Sequence, residues 1–238
     1  MNIERLHPWE ALMKQMVWHQ LGTIQNQKIL DFGSGTGVTA CYYAQNNDVT
    51  AIEPSEEAVN ERWRDFPYTQ LVGSTDQLKK LPDESFDVIL CHNVLEYASD
   101  RAVIVREFER LLKPDGLLSI VKHNRAGRVM QMAVLLNAFE KANDLLDGQD
   151  GAASRYGTIH YYEDTEIEAW SDQLRIAQTL GMRTFWDLQQ NQEGHKDADW
   201  QRQMLALENR VSDLAEYKAV AFFHHLFIRK KWKKQRIL

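Results

Sequence analysis

The sequence predicts an α/β fold, a seven-stranded and mostly parallel sheet with helices on both faces and a helical insertion after the fifth strand. Three observations predict it. Apolar runs at residues 28–32, 49–53, 69–72, 88–92 and 117–121 alternate with helical periodicities. These runs are apolar almost throughout rather than at every second position, which marks parallel strands buried on both faces. The first run leads into Gly33, Gly35 and Gly37 and then a helical pattern from Val38. Strand, tight turn and helix N-terminus in that order form the crevice where open parallel sheets bind nucleotides.

The length, 238 residues, suits a single domain with an elaboration. Residues 1–27 read as an N-terminal helix, 28–122 as a cofactor-binding core, 123–163 as a lid insertion, and 164–238 as the C-terminal part of the core with a basic tail. No apolar run approaches the length of a membrane span, and Glu4, Arg5, His7 and Glu10 are foreign to a signal peptide, so no membrane contact and a cytoplasmic location are expected. Two cysteines, Cys41 and Cys91, make neither a disulfide framework nor a metal motif, and no metal site is expected. The net charge is −6, but residues 229–236 alone hold six basic side chains, leaving −12 on residues 1–228. So acidic a body does not suit general nucleic-acid binding; the tail could grip phosphates, or simply keep a solvated terminus.

In chain order, Trp9, Leu12, Met13, Met16 and Val17 recur at helical spacing. Pro54 and Pro82 mark element boundaries, and Asp100 is placed to cap a helix ending near Leu112. After the fifth strand residues 123–128 are polar, and 129–146 predict one long apolar-rich helix ended by Asp147-Gly148-Gln149-Asp150-Gly151. An aromatic stretch, 154–162, precedes a predicted helix at 164–180. A short link would serve here, so the excess of roughly forty residues reads as a substrate lid. Residues 181–187 then predict a sixth strand, 200–214 a helix and 219–229 the last strand.

The turn decides between nucleotides. A dinucleotide site needs G-x-G-x-x-G, and here Val38 stands where the third glycine belongs. Asp31, before the turn, is a poor neighbour for a pyrophosphate and a good one for a cation. Glu53, closing the second strand, can accept both protons of a ribose diol. An adenosine with an amino-acid tail and a sulfonium charge fits both carboxylates, which points to S-adenosylmethionine.

At these residues the chain resembles the class I S-adenosylmethionine-dependent methyltransferases, whose sheet is Rossmann-like. Asp31-Phe32-Gly33-Ser34-Gly35-Thr36-Gly37 and Glu53-Pro54-Ser55 carry the likeness, and further landmarks follow in family order. Gly73-Ser74-Thr75-Asp76-Gln77-Leu78 resembles the acidic loop that meets the adenine, residues 86–96 the fourth strand with its loop, and 111–119 the turn into the fifth strand. The resemblance implies a cofactor site of Asp31, Gly33, Ser34, Gly35, Gly37, Glu53, Pro54, Ser55, Thr75, Asp76, Gln77, His92 and Asn93. Over nearly the whole chain, residues 118–127, 181–187 and Leu205-x-Leu207-Glu208 also resemble the bacterial tRNA 5-carboxymethoxyuridine methyltransferases, which esterify a carboxylate on a wobble uridine. Two departures stand out. The arginine those enzymes place in the N-terminal helix falls near Met13, beside Lys14, and the lid lacks their proline-rich segment.

An ionised carboxylate needs no general base. It does want a cationic fork. Arg125 and Arg128, just past the fifth strand, are the first candidates, then Arg155; Asn124 and Tyr161 join them as substrate-binding residues, and Tyr161 or Tyr162 could stack on a base. A hydroxyl or amine acceptor would instead use a base, for which His92, His123, His160 and His224 are available; none receives a catalytic label. Three functions follow in order: a tRNA-modifying methyltransferase, a methyltransferase of a free small molecule, and a non-catalytic cofactor-binding protein. Neither the oligomeric state nor the acceptor atom follows from the residues.

Overall fold

In a computed structural model of the chain, residues 1–153 and 157–231 are described. Arg155, a candidate above, and most of the basic tail lie outside the described residues. The strands are β1 (Lys28–Phe32), β2 (Asp48–Glu53), β3 (Thr69–Val72), β4 (Phe86–His92), β5 (Leu112–His123), β6 (Gly151–Ala153), β7 (Gly157–Ile159), β8 (Leu174–Met182) and β9 (Phe223–Lys230). Seven of them form one sheet in the order β3-β2-β1-β4-β5-β9-β8, and β6 pairs antiparallel with β7. β1 runs parallel to β2, with Asp31 opposite Ala51, and parallel to β4, with Asp31 opposite Leu90. Sequence order therefore reverses across β1, so the switch point of the sheet lies at its carboxyl end, where Asp31 and the glycine turn sit.

The helices are α1 (Pro8–Leu21), α2 (Val38–Ala44), α3 (Glu56–Asn60), α4 (Thr75–Leu78), α5 (Arg101–Leu111), α6 (Arg125–Met130), α7 (Phe139–Leu146), α8 (Glu166–Trp170), α9 (Ala198–Val211) and α10 (Ala215–Lys218). None among the described residues is long and apolar enough to cross a membrane.

The chain gathers into two compact units. The first comprises Ile24–Ile120, Tyr162–Gln178 and the chain from Leu226 onward. Its core joins Leu30, Phe32, Ile52, Ile89, Ile104, Phe108, Leu118, Ile120, Ile167 and Leu226, which explains the apolar runs of β1, β2 and β4: these strands bury both faces. Burying each such side chain contributes about 1.5–3 kcal/mol. The second unit comprises Met1–Thr23, Val121–Tyr161 and Thr179–His225. Leu12, Met13, Met16 and Val17 of α1 pack there with Trp186, Met204, Phe222 and Phe223, so the helical spacing of α1 is core packing.

Three expectations need correction. The helix expected over 164–180 is one short turn of helix, α8, followed by β8. Residues 172–180 are rich in good helix formers, yet Leu174 and Ile176 alternate onto the core, and pairing in the sheet overrides local propensity. The strand expected over 181–187 consequently ends at Met182, and Trp186–Leu188 is a short 3-10 turn. The long helix expected over 129–146 is three pieces: α6, a π-helical turn at Gln131–Leu135, and α7. Asn137, at φ +50°, breaks the path between the last two.

Candidate functional site

The first unit's candidate site begins at the glycine turn. Gly35 has φ +55° and Gly37 φ +68°, left-handed values that favour glycine. A Cβ on Gly37 would lie 2.1 Å from the Tyr68 hydroxyl oxygen, whereas one on Gly35 would meet nothing within 4 Å. The turn is therefore packed against the protein at one glycine and faces open space at the other. Backbone N–H groups of Gly33 and Ser34 donate to the Ile52 carbonyl, at 2.8 and 3.1 Å, which ties the turn to β2.

Glu53 is the second tie. Its Oε2 accepts the Gly35 N–H at 2.8 Å and its Oε1 the Ser55 N–H at 2.9 Å. The Glu53 carbonyl takes the Gly73 N–H at 3.1 Å, so one residue organises the turn, the start of α3 and the loop after β3. Each carboxylate oxygen has a second lone pair, so Glu53 can still accept two hydroxyl protons. Pro54 follows it, and Ser55 Oγ caps α3 through the Ala58 N–H at 3.2 Å.

Around this centre, Asp31 is buried at the end of β1. Its charge reaches Cys91, whose thiol is pushed well up by burial, then by Glu96 and Asp31, and is no nucleophile at neutral pH. The Asp76 carboxyl is held below the usual carboxylate range by the Ser74 N–H, 2.9 Å away, with Lys80 contributing. Thr75 Oγ1 donates to Asp100 at 3.2 Å, so Asp100 serves this loop and gives α5 no side-chain cap. Gln77 Nε2 bonds the Val72 carbonyl at 3.0 Å, and His92 Nε2 lies 2.9 Å from Ser119 Oγ. Asn93 sits at φ +57°, directly after β4, and its Nδ2, like Ser34 Oγ, is buried without a hydrogen-bond partner among the described residues. Buried polar atoms left so are what a polar ligand would satisfy.

The second unit holds the residues expected to meet substrate. Asn124 caps α6 by accepting the Ala126 N–H at 3.3 Å, and its Nδ2 braces the Ala219 and Ala221 carbonyls at 3.0 and 2.8 Å. Both its amide protons are thus spent inside the unit. Arg125 Nη1 donates to the carbonyls of Leu145 and Gln149, at 3.1 and 2.6 Å, closing the C-terminus of α7, and its guanidinium lies 4.6 Å from the Tyr161 ring centroid. Arg128 donates from Nη1 to Gln131 Oε1 and from Nη2 to the Ala152 carbonyl at 3.2 Å. Neither arginine makes an ion pair among the described residues.

Sequence reasoning left out the residues that support Arg128. Buried Arg183, at φ +58°, grips buried Asp187 with two hydrogen bonds, Nε to Oδ2 at 2.8 Å and Nη2 to Oδ1 at 2.5 Å. Gln131 Nε2 donates to Asp187 Oδ1 at 3.3 Å. Glu208, wholly buried, accepts the backbone N–H groups of Thr184, Phe185 and Trp186 at 2.7, 2.8 and 3.0 Å and so fixes the loop carrying Arg183 and Asp187. The signals for this cluster in the sequence were the 181–187 stretch, which holds Arg183 and Asp187, and Glu208 within its own motif. His123 packs 4.7 Å from the Phe223 ring, its pKa lowered to about 3 by burial first and then by Arg128, Arg183 and Lys122.

Residues 30–120 match the family described as a methyltransferase domain. That stretch is a methyltransferase domain. Among curated relatives, the tRNA 5-carboxymethoxyuridine methyltransferase of Escherichia coli O157:H7 is 24% identical over 95% of this chain and 91% of its own length. A mouse thiol S-methyltransferase is 30% identical, but over 43% of this chain and 45% of its own. Of solved structures, an S-adenosylmethionine-dependent methyltransferase of Mesorhizobium loti superposes with a TM-score of 0.56 at 18% identity, covering 97% of this chain and all of that one. The seven-stranded Rossmann-like sheet expected from the sequence is present, and the chain shares its fold with that Mesorhizobium loti enzyme.

Proposed function

We propose that this methyltransferase uses S-adenosylmethionine to esterify the carboxylate of a modified wobble uridine in tRNA. One observation carries the choice of acceptor. The similarity to the E. coli tRNA 5-carboxymethoxyuridine enzyme runs through both units, over 95% of this chain, whereas the thiol methyltransferase matches less than half.

In this reading Glu53 accepts the ribose hydroxyls, Asp31 faces the cationic end of the cofactor, and Gly35 leaves room for it. Ser34 Oγ and Asn93 Nδ2 give their unmet hydrogen bonds to its polar atoms, with Pro54, Ser55, Thr75, Asp76, Gln77 and His92 lining the site. When bound, the cofactor supplies an electrophilic methyl group on a sulfonium. The protein's task is alignment and exclusion of water, because an ionised carboxylate is already the nucleophile at neutral pH. An arginine of the segment after β5, Arg125 or Arg128, holds that carboxylate, and residues 123–163 act as its lid. No histidine is required as a base. His123, its pKa near 3, stays neutral at physiological pH and is a packing residue.

The test is methyl transfer from isotopically labelled S-adenosylmethionine to tRNA bearing 5-carboxymethoxyuridine, against tRNA lacking it and against simple thiols. Label confined to the first substrate supports the reading. Label on thiols alone would replace it with the second reading, a free small-molecule acceptor, which the 30% local identity to the thiol enzyme favours.

A further inference from the structure

Arg183 and Arg128 present the same chemistry in two states. Arg183 uses its Nε–Nη2 edge to hold a carboxylate side-on, with both oxygens of Asp187 engaged. Among the described residues the corresponding edge of Arg128 holds none: its Nε is buried without a hydrogen-bond partner there, and its Nη2 makes one long bond, 3.2 Å, to the Ala152 carbonyl. A guanidinium donor left so in a buried setting calls for an acceptor. Among the described residues no carboxylate supplies one, since Arg128 makes no ion pair there.

The opposite side of Arg128 is held in place by a partly buried relay. Nη1 donates to Gln131 Oε1, Gln131 Nε2 donates to Asp187 Oδ1, and Asp187 is locked by Arg183. A neutral amide is the group this relay needs. It accepts from a cation on one side and donates to an anion on the other without changing the charge between them. Because Asp187 is matched by Arg183, the cluster keeps one positive charge, that of Arg128. Gln131 is also the first residue of the π-helical turn, a rare local geometry frequently found at functional sites.

We propose that the second unit carries a built carboxylate site, seated on the Nε–Nη2 edge of Arg128, with Gln131, Asp187 and Arg183 as positioning residues. This rests on the reading of an anionic acceptor and narrows it. Arg125, whose Nη1 closes α7, is the lid's brace, and Arg128 is the fork. A planar fork held at one edge offers two parallel bonds to a carboxylate.

The full-length protein, labelled with 15N at arginine Nε, gives the test by NMR. The Arg128 cross-peak is assigned by its loss in Arg128→Lys, and the probe is sodium methoxyacetate, an ether carboxylate. The Arg128 peak should shift and saturate, at lower concentration than with dimethyl phosphate. Gln131→Glu places a carboxylate against Nη1 and should weaken the response about ten-fold or more, as loss of a charged hydrogen bond does. Gln131→Met, which removes the relay without adding charge, should weaken it too while leaving the melting temperature within a few degrees. In turnover, both should raise KM for the anionic acceptor more than they lower kcat. An Arg128 peak that ignores methoxyacetate, a preference for dimethyl phosphate, or a wild-type response in both Gln131 variants would overturn the site. The outcomes separate cleanly from the tRNA reading. A saturating Arg128 response in a protein that does not methylate the tRNA would leave the site standing and remove the substrate.

Discussion

Glu53→Gln is the sharpest perturbation of the proposed cofactor site in the first unit. Both carboxylate oxygens receive a backbone N–H, Gly35 at 2.8 Å and Ser55 at 2.9 Å. An amide has one acceptor oxygen, so the variant must turn its NH2 toward one of those two donors. Losing a hydrogen bond to a charged acceptor costs about 1.5–3 kcal/mol, and the donor left facing the NH2 is loosened. The loss is felt twice. The apo turn becomes less preorganised, and a ribose hydroxyl that would donate to the remaining lone pairs finds one oxygen instead of two. With about 1.4 kcal/mol per factor of ten, the dissociation constant for S-adenosylmethionine or its demethylated product should rise about 10- to 100-fold. Calorimetric titration with S-adenosylhomocysteine reads this directly, with urea unfolding alongside to measure the loosening of the turn. Wild-type affinity in Glu53→Gln would refute the reasoning, because a carboxylate that can be replaced by an amide is not holding two donors and a diol.

Other predictions come from particular contacts. Gly35→Ala should fold, since its Cβ meets nothing within 4 Å, at a cost of about 1–2 kcal/mol for the φ of +55°, yet lose detectable cofactor binding by calorimetry. Glu208→Gln should lower stability by about 3 kcal/mol, because three N–H donors share its carboxylate, and the melting temperature by about 6–12 °C in a scanning calorimeter. Acid should weaken the second unit through His123 and His225, both buried with pKa lowered to about 3 chiefly by burial. Unfolded, each imidazole gains its proton near 6.5, so stability is full above that pH and falls as pH drops toward 3, by about 2 kcal/mol for each histidine between pH 7 and pH 5. His225→Gln should flatten this slope by about half in urea titrations at the two pH values. The difference from wild type cancels the opposite pull of buried Asp187 and Glu208, whose carboxyls burial pushes up.

The sequence exposed the first unit far better than the second, for physical reasons. Ile29, Leu30, Ile52 and Ile89 are buried because their strands lie inside the sheet, and continuous apolar runs announce that directly. The glycine turn is legible because left-handed backbone next to open space leaves few alternatives to glycine. β8 was misread because Ala177, Gln178 and Leu180 favour helix locally and only pairing in the sheet makes them strand. The Arg128–Gln131–Asp187–Arg183 relay was illegible for another reason. It joins residues 56 positions apart through a loop whose shape depends on Glu208 and on Arg183 in a left-handed conformation, and although 181–187 and Glu208 lie in motifs, nothing local in either marks that pairing. Charge alone could nominate Arg125 and Arg128 together. Only their hydrogen bonds distinguish them: Arg125 donates to two carbonyls at the end of α7, whereas Arg128 leaves its Nε without a partner among the described residues.

The central claim, an anionic wobble nucleoside as methyl acceptor, is tested most directly in the cell. Total tRNA from a strain lacking this protein should be digested to nucleosides and compared with wild type by mass spectrometry. The account predicts that the methyl ester of 5-carboxymethoxyuridine disappears while the free acid accumulates in equal measure, and that Arg128→Ala fails to restore the ester where the wild-type chain does. An unchanged ratio of ester to acid in the deletion strain would contradict it.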